Sequence, residues 1–126
     1  MADAVITTIT RKKTIEARAG TRQLPTIVGM AFGNGGIGSD GNQVSPTISD
    51  NSLKNELLRK EIDGYEFTSE TSCKYTCTLD EDELADQKIS ELALYDSDGD
   101  LVCIKTFSEK GKDSDFEMAF SVKDFF

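Results

Sequence analysis

The chain has 126 residues, with 23 acidic and 14 basic side chains, three cysteines and no histidine. This length fits one domain, and the formal net charge of −9 disfavours nucleic-acid binding, because contact with phosphates needs a dominant basic surface. The absence of histidine excludes Ser-His and Cys-His catalytic pairs, so we expect no enzymatic activity and no cofactor.

The N-terminal segment predicts a helix over Thr10–Ala19, because it consists mostly of good helix formers. Gly20 follows directly, at a position where a C-cap glycine is expected. Three isoleucines are expected to face the core: Ile6, Ile9 and Ile15. The next apolar segment, Leu24–Phe32, predicts a strand with a proline near its start, where a missing N–H costs least.

A polar loop at Gly33–Ser49 follows, and it begins with the spacing G-x-G-x-x-G at Gly33–Gly38. A dinucleotide site needs a helix directly after such glycines to receive the pyrophosphate. Turn-forming residues and a proline stand there instead, which disfavours that site. We predict a mobile arm that orders on a partner, or else a disordered loop. Asn34 and Ile37 are its candidate interaction residues.

A second helix is predicted from Asp50 or Asn51 to Lys60, because either residue can cap it and three leucines share one side. Those leucines are Leu53, Leu57 and Leu58. Beyond Glu61 the apolar pattern changes to a period of two, which predicts a strand with one buried face. Its apolar positions are Cys73, Tyr75, Cys77 and Leu79. We expect the three cysteines to be buried free thiols.

Residues 89–104 predict a β-hairpin closed by an Asp-rich turn, because Gly99 can adopt the positive φ that such a turn needs. The turn also resembles the start of a calcium loop, with three alternating carboxylates. They are Asp96, Asp98 and Asp100. The expected glycine is replaced by Leu101 and the bidentate Glu by Phe107, so we predict no metal site. The three carboxylates remain candidate interaction residues.

Charge is distributed unevenly along the chain. Asp80–Asp100 holds nine acids and one base, whereas the chain up to Arg22 holds five bases and two acids. Such opposed patches can set the register between neighbouring subunits, although a solvated face is the simpler interpretation. The last predicted strand alternates over Phe116–Lys123. It leads to Phe125 and Phe126, which either close the core or form a contact.

These elements predict an α+β fold in one domain, residues 1–126. We expect a small mixed, mainly antiparallel sheet of about five or six strands with two helices.

Four segments in this order resemble the N-terminal domain of phage tail-collar fibre proteins. They are Ile6–Gly20 (ITTITRKKTIEARAG), Thr26–Gly36 (TIVGMAFGNGG), Leu53–Ile62 (LKNELLRKEI) and Ile89–Ile104 (ISELALYDSDGDLVCI). The resemblance implies a short, stand-alone structural protein of a phage or prophage tail that forms or attaches a fibre, collar or baseplate component. It implies other tail proteins as partners and, together with the opposed charge patches, self-association into a homo-oligomer. The acidic charge predicts no nucleic-acid partner, and the lack of an apolar run of about 20 residues predicts no membrane contact. Assembly in the host cytoplasm and location in the virion tail follow. The alternative is an acidic inhibitor or decoy that acts on a basic partner.

Overall fold

The structure, a computed structural model, describes residues 4–112 and 118–125. The elements in chain order are β1 (Val5–Ile6), α1 (Thr8–Arg18), β2 (Ile27–Gly33), β3 (Glu56–Glu61), β4 (Gly64–Ser69), β5 (Ser72–Leu79), β6 (Lys88–Asp96), β7 (Leu101–Gly111) and β8 (Met118–Phe125). Five strands form one antiparallel sheet in the order β1-β7-β6-β2-β3, and three form a second in the order β4-β5-β8. The expected α+β fold is therefore wrong, because the described residues form mostly strands and one short helix.

The two sheets pack face to face around a shared apolar core. The Phe32 and Phe120 rings, one from each sheet, lie 5.1 Å apart between centroids, and the Phe107 ring lies 6.3 Å from that of Phe120. The period of two predicted for β5 is confirmed, because Cys77 and Leu79 are fully buried in this core. All three cysteines are buried free thiols, as expected.

The N-terminal end of helix α1 is hydrogen-bonded to strand β7 of the first sheet. The Thr7 side chain accepts from the Thr10 N–H at 3.4 Å as the N-cap, and its hydroxyl donates to the Leu101 carbonyl at 2.7 Å. The helix is confirmed, but the expectation that Ile15 faces the core is wrong, because this side chain is 62% exposed.

The second predicted helix is wrong, since its C-terminal half forms strand β3. This strand pairs antiparallel with β2, and Leu58 lies opposite Phe32. Met30, Ala31 and Phe32 of β2 are fully buried, so their backbone groups need partners on both sides of the strand. Pairing with β3 supplies those partners on one side, which outweighs the helix propensity of the segment.

The predicted hairpin is confirmed as β6 and β7, with Gly99 at φ 88° in the turn. Between β5 and β6, Glu83 accepts from the Asp80 N–H at 2.8 Å, the contact expected of a capping box. Turns rather than a helix follow it, and Leu84 and Asp86 have positive φ values of 51° and 62°.

Candidate interaction surfaces

The Asp-rich turn between β6 and β7 surrounds the ammonium group of Lys13. The Nζ atom lies 2.7 Å from a carboxylate oxygen of Asp96, 3.1 Å from Asp98 and 2.7 Å from Asp100. Lys13 is only 4% exposed although it lies on a helix whose neighbouring positions 11 and 12 face solvent. We call this arrangement the aspartate cup. It ties α1 to the hairpin turn across more than eighty residues of sequence.

The aspartate cup is also held together by its own backbone. Asp96 Oδ1 accepts from the N–H groups of Asp98 at 3.0 Å and Asp100 at 3.1 Å, while its Oδ2 faces Lys13. The turn therefore presents all three carboxylates to one point. Their oxygens lie within 4.8 Å of one another, which is close enough for a metal ion, but the ammonium already contacts all three.

The electrostatics of the aspartate cup favour the charged forms of Lys13 and Asp98. Burial alone would lower the pKa of Lys13, but hydrogen bonds to Asp100, Asp96 and Asp98 outweigh it and raise this pKa above its usual value. Hydrogen bonds from Lys13 and Arg22 lower the pKa of Asp98. The cup is therefore an internal ion cluster at neutral pH.

The opposed charge patches expected to face neighbouring subunits thus pair partly within the chain. Arg22 donates to Asp98 at 2.8 Å, and Lys13 contacts Asp96 and Asp100, so two bases offset two of the three negative charges of the turn. Three bases of α1 form no ion pair with any described residue and are exposed. They are Arg11, Lys12 and Arg18.

A second buried carboxylate, that of Glu91 on β6, holds the beginning of the glycine-rich loop beside the segment that precedes β3. Glu91 is 1% exposed. Its Oε2 accepts from the backbone N–H groups of Gly35 at 2.7 Å and Asn55 at 2.8 Å, and its Oε1 accepts from the backbone N–H of Lys54 at 2.8 Å. The beginning of the loop and the segment before β3 therefore meet at one side chain.

The glycines of this loop are needed for its close approach to β6. A Cβ atom at Gly36 would clash with the Ser90 carbonyl, and one at Gly35 would come too close to Lys54 and Glu91. The Gly36 N–H also donates to Ser90 Oγ at 2.9 Å. The spacing that resembled a dinucleotide motif thus presents backbone N–H groups to the chain's own β6 residues.

The candidate residues of the loop lie near this anchored base. Asn34 is exposed, donates its N–H to the Asn55 carbonyl at 3.1 Å and accepts from Asn55 Nδ2 at 2.6 Å. Ile37 is half-buried and forms an isolated antiparallel bridge with Gln43. Phe125 ends β8 and its side chain is not described, and Phe126 lies outside the described residues.

Two exposed apolar areas were not predicted from the sequence. One is a groove of about 430 Å³ beside α1, lined by Ile15, Leu24 and Ile27 among others, and we call it the helix groove. The other is a pair of aromatic side chains on β4, Tyr65 and Phe67, with ring centroids 5.6 Å apart. We call this pair the aromatic shelf.

The aromatic shelf continues the inner face of the second sheet. Tyr65 lies opposite Tyr75 and Phe67 opposite Cys73 in the β4–β5 register, so these side chains share a face. Cys73 is buried, whereas Tyr65 and Phe67 are 64% and 74% exposed. Strand β4 is at the edge of its sheet. The two rings therefore extend the core face past the area that the first sheet covers.

Among the three buried cysteines, Cys77 stays a thiol at neutral pH, because burial raises its pKa to about 11.

The helix α1 is too short to cross a bilayer, and no other helix occurs in the part of the chain that the structure describes.

A family model described as phage tail-collar fibre protein, N-terminal, matches residues 1–122. Neither the search of curated proteins nor the search of solved structures returned a match.

Proposed function

This chain belongs to the family of phage tail-collar fibre proteins, and we propose that it is a structural component that forms or attaches a fibre, collar or baseplate part of a phage or prophage tail. The observation that carries the proposal is the family match over residues 1–122, which includes nearly the whole chain. The family is a structural one. We propose no catalytic role and no cofactor.

The geometry supports a role in assembly. The buried charges of Lys13 and Glu91 are each surrounded by several partners from the same chain, so they serve the fold. Among the described residues, four of the five large apolar side chains that stay exposed belong to the helix groove or the aromatic shelf. Monomeric proteins usually cover such groups, and exposed apolar areas are typical of contact surfaces. We propose that other tail proteins, or further copies of this chain, cover them.

We also propose that the outer part of the glycine-rich loop contacts a partner. Residues 39–43 are exposed, whereas the base of the loop is held by Glu91 and Ser90. An arm with a fixed base and an exposed tip loses little conformational freedom on binding, which favours affinity. The acidic-decoy alternative has less support, because Asp96, Asp98 and Asp100 are paired within the chain.

The proposal is tested in the particles that the producing bacterium releases. Particles are purified from the parent strain, from a strain lacking this chain, and from that strain with the chain restored. We expect mass spectrometry to find the chain in purified tails, and electron microscopy to show tails that lack a fibre, collar or baseplate part when it is deleted. Tails of normal appearance that never contain the chain would refute a structural role.

A further inference from the structure

We propose that the aromatic shelf of one copy of this chain docks into the helix groove of a second copy. The inference rests on the proposed structural role and identifies one of its contacts. It assigns a partner to four of the five large apolar side chains that the described residues leave exposed. Those four are Ile15, Leu24, Tyr65 and Phe67.

The helix groove has the size and lining to receive an aromatic ring. Its volume of about 430 Å³ lies within the range of pockets that bind small molecules. Apolar side chains from α1, from the segment before β2 and from the first sheet line it, including Ile6, Leu24 and Val102. A phenylalanine ring that leaves water for such a groove gains the hydrophobic free energy of both surfaces.

The two surfaces carry opposite charge. Arg11, Lys12 and Arg18 lie three or four residues from Ile15, hence beside it on the helix, and they form no ion pair with other described residues. Around the aromatic shelf the exposed charges are mainly acidic. Next to the shelf in the chain these acids are Glu61, Asp63 and Glu70. Glu66 lies between the two aromatic residues on β4, so its side chain points to the opposite face of the sheet, where it pairs with Lys74 at 4.0 Å.

This charge pattern distinguishes between two ways of joining copies. Docking of shelf against shelf would bring acidic rims together, which costs free energy, whereas docking of shelf into groove pairs acids with bases. Because the groove and the shelf are different surfaces of one chain, the contact is heterologous and leaves one of each free on a two-chain complex. Further copies can then add until a ring closes.

The decisive experiment uses two variants that each lose one surface. Phe67→Ser removes the shelf and Ile15→Glu removes the groove, and both positions are exposed, so we expect the melting temperature to stay near that of the parent chain. We expect the parent chain to self-associate in sedimentation velocity at high concentration and low salt. Each variant alone should associate at least about tenfold more weakly.

An equimolar mixture of the two variants should form a two-chain complex and nothing larger, because the shelf of one still fits the groove of the other. Ile48→Ser is the matched control, since Ile48 is 50% exposed but does not line the groove, and it should associate like the parent. Added salt should weaken association by screening the charges.

Three results would overturn the inference: a parent chain that stays monomeric, a mixture that fails to associate, or variants that associate as well as the parent. A protein that binds the shelf in tail extracts while the pure chain stays monomeric would also overturn it. In each case the proposed function is judged separately, by the presence of the chain in purified tails.

Discussion

Replacement of Lys13 by methionine tests the role of the aspartate cup most directly. Methionine keeps the length of the side chain but removes the charge, which leaves Asp96 with a side-chain exposure of 3% and no cation. Breaking a fully buried pair costs about 3–5 kcal/mol. Asp98 and Asp100 are 45% and 41% exposed, so water replaces most of their share, and each adds only about 0–1 kcal/mol.

We therefore expect Lys13→Met to lower the free energy of unfolding by at least about 3 kcal/mol, out of a total of roughly 5–15 kcal/mol for a domain. The melting temperature should fall by at least about 10 °C, given the usual entropy of unfolding for a domain of this size. Urea denaturation followed by far-ultraviolet circular dichroism measures the free energy, and a thermal scan measures the melting temperature.

Two further variants sharpen the test. Lys12→Met is the matched control, because Lys12 is the next residue, is exposed and has no ion pair with a described residue, so its effect should stay within about 0.5 kcal/mol. Asp96→Asn keeps an oxygen for the turn hydrogen bonds, and the Lys13→Met/Asp96→Asn double variant should lose less than the sum of the single losses. The reasoning is refuted if Lys13→Met is as stable as Lys12→Met.

Three other results are expected. Glu91→Gln should cost about 2–4 kcal/mol and speed amide exchange at Gly35, because buried N–H groups lose their acceptor; exposed Glu109→Gln is the control, and an equal loss in both would contradict this. Stability should be flat near neutral pH. It should fall as the pH drops below about 4, the ordinary range of an Asp carboxyl, toward the lowered pKa of Asp98, and as the pH rises above about 10.5, the ordinary range of a lysine, toward the raised pKa of Lys13; a stability that increases from about pH 4 to pH 3 would contradict the first sign, and one that increases above about pH 10.5 would contradict the second. Millimolar calcium should raise the melting temperature of Lys13→Met and not of the parent chain, since only the variant lacks the ammonium that contacts all three carboxylates; a rise in the parent chain would show that the ammonium does not hold the site.

The parts of the fold that depend on neighbouring residues were predictable from the sequence. The β6–β7 hairpin follows from apolar runs around a turn with Gly99, and β5 follows from its period of two. Helix α1 follows from propensity and the glycine beyond it. Each of these signals acts over fewer than about twenty residues of sequence.

The features that could not be predicted depend on contacts between residues far apart in the sequence. LKNELLRKEI has good helix propensity, yet β2 needs a neighbouring strand and the segment becomes β3. Lys13 looked like one of several helix bases, and only the fold brings it to Asp96. Strand β4 was missed because it is short and exposed at a sheet edge. The aromatic shelf on it could have been suspected from the alternation of Tyr65 and Phe67, which is the one local signal there.

The Glu91 carboxylate has a consequence for how this chain can vary. It accepts from the N–H groups of both Gly35 and Asn55, so both ends of the stretch between them are fixed at the same point of the buried strand β6. Within that stretch Leu53 is a core residue and the Ile48 carbonyl accepts from the Thr8 N–H at 2.7 Å, so it is the exposed tip, residues 39–43, that can be lengthened or exchanged at little cost in closure entropy. We therefore expect sequence changes at this tip to alter what the loop can contact while both sheets keep their packing.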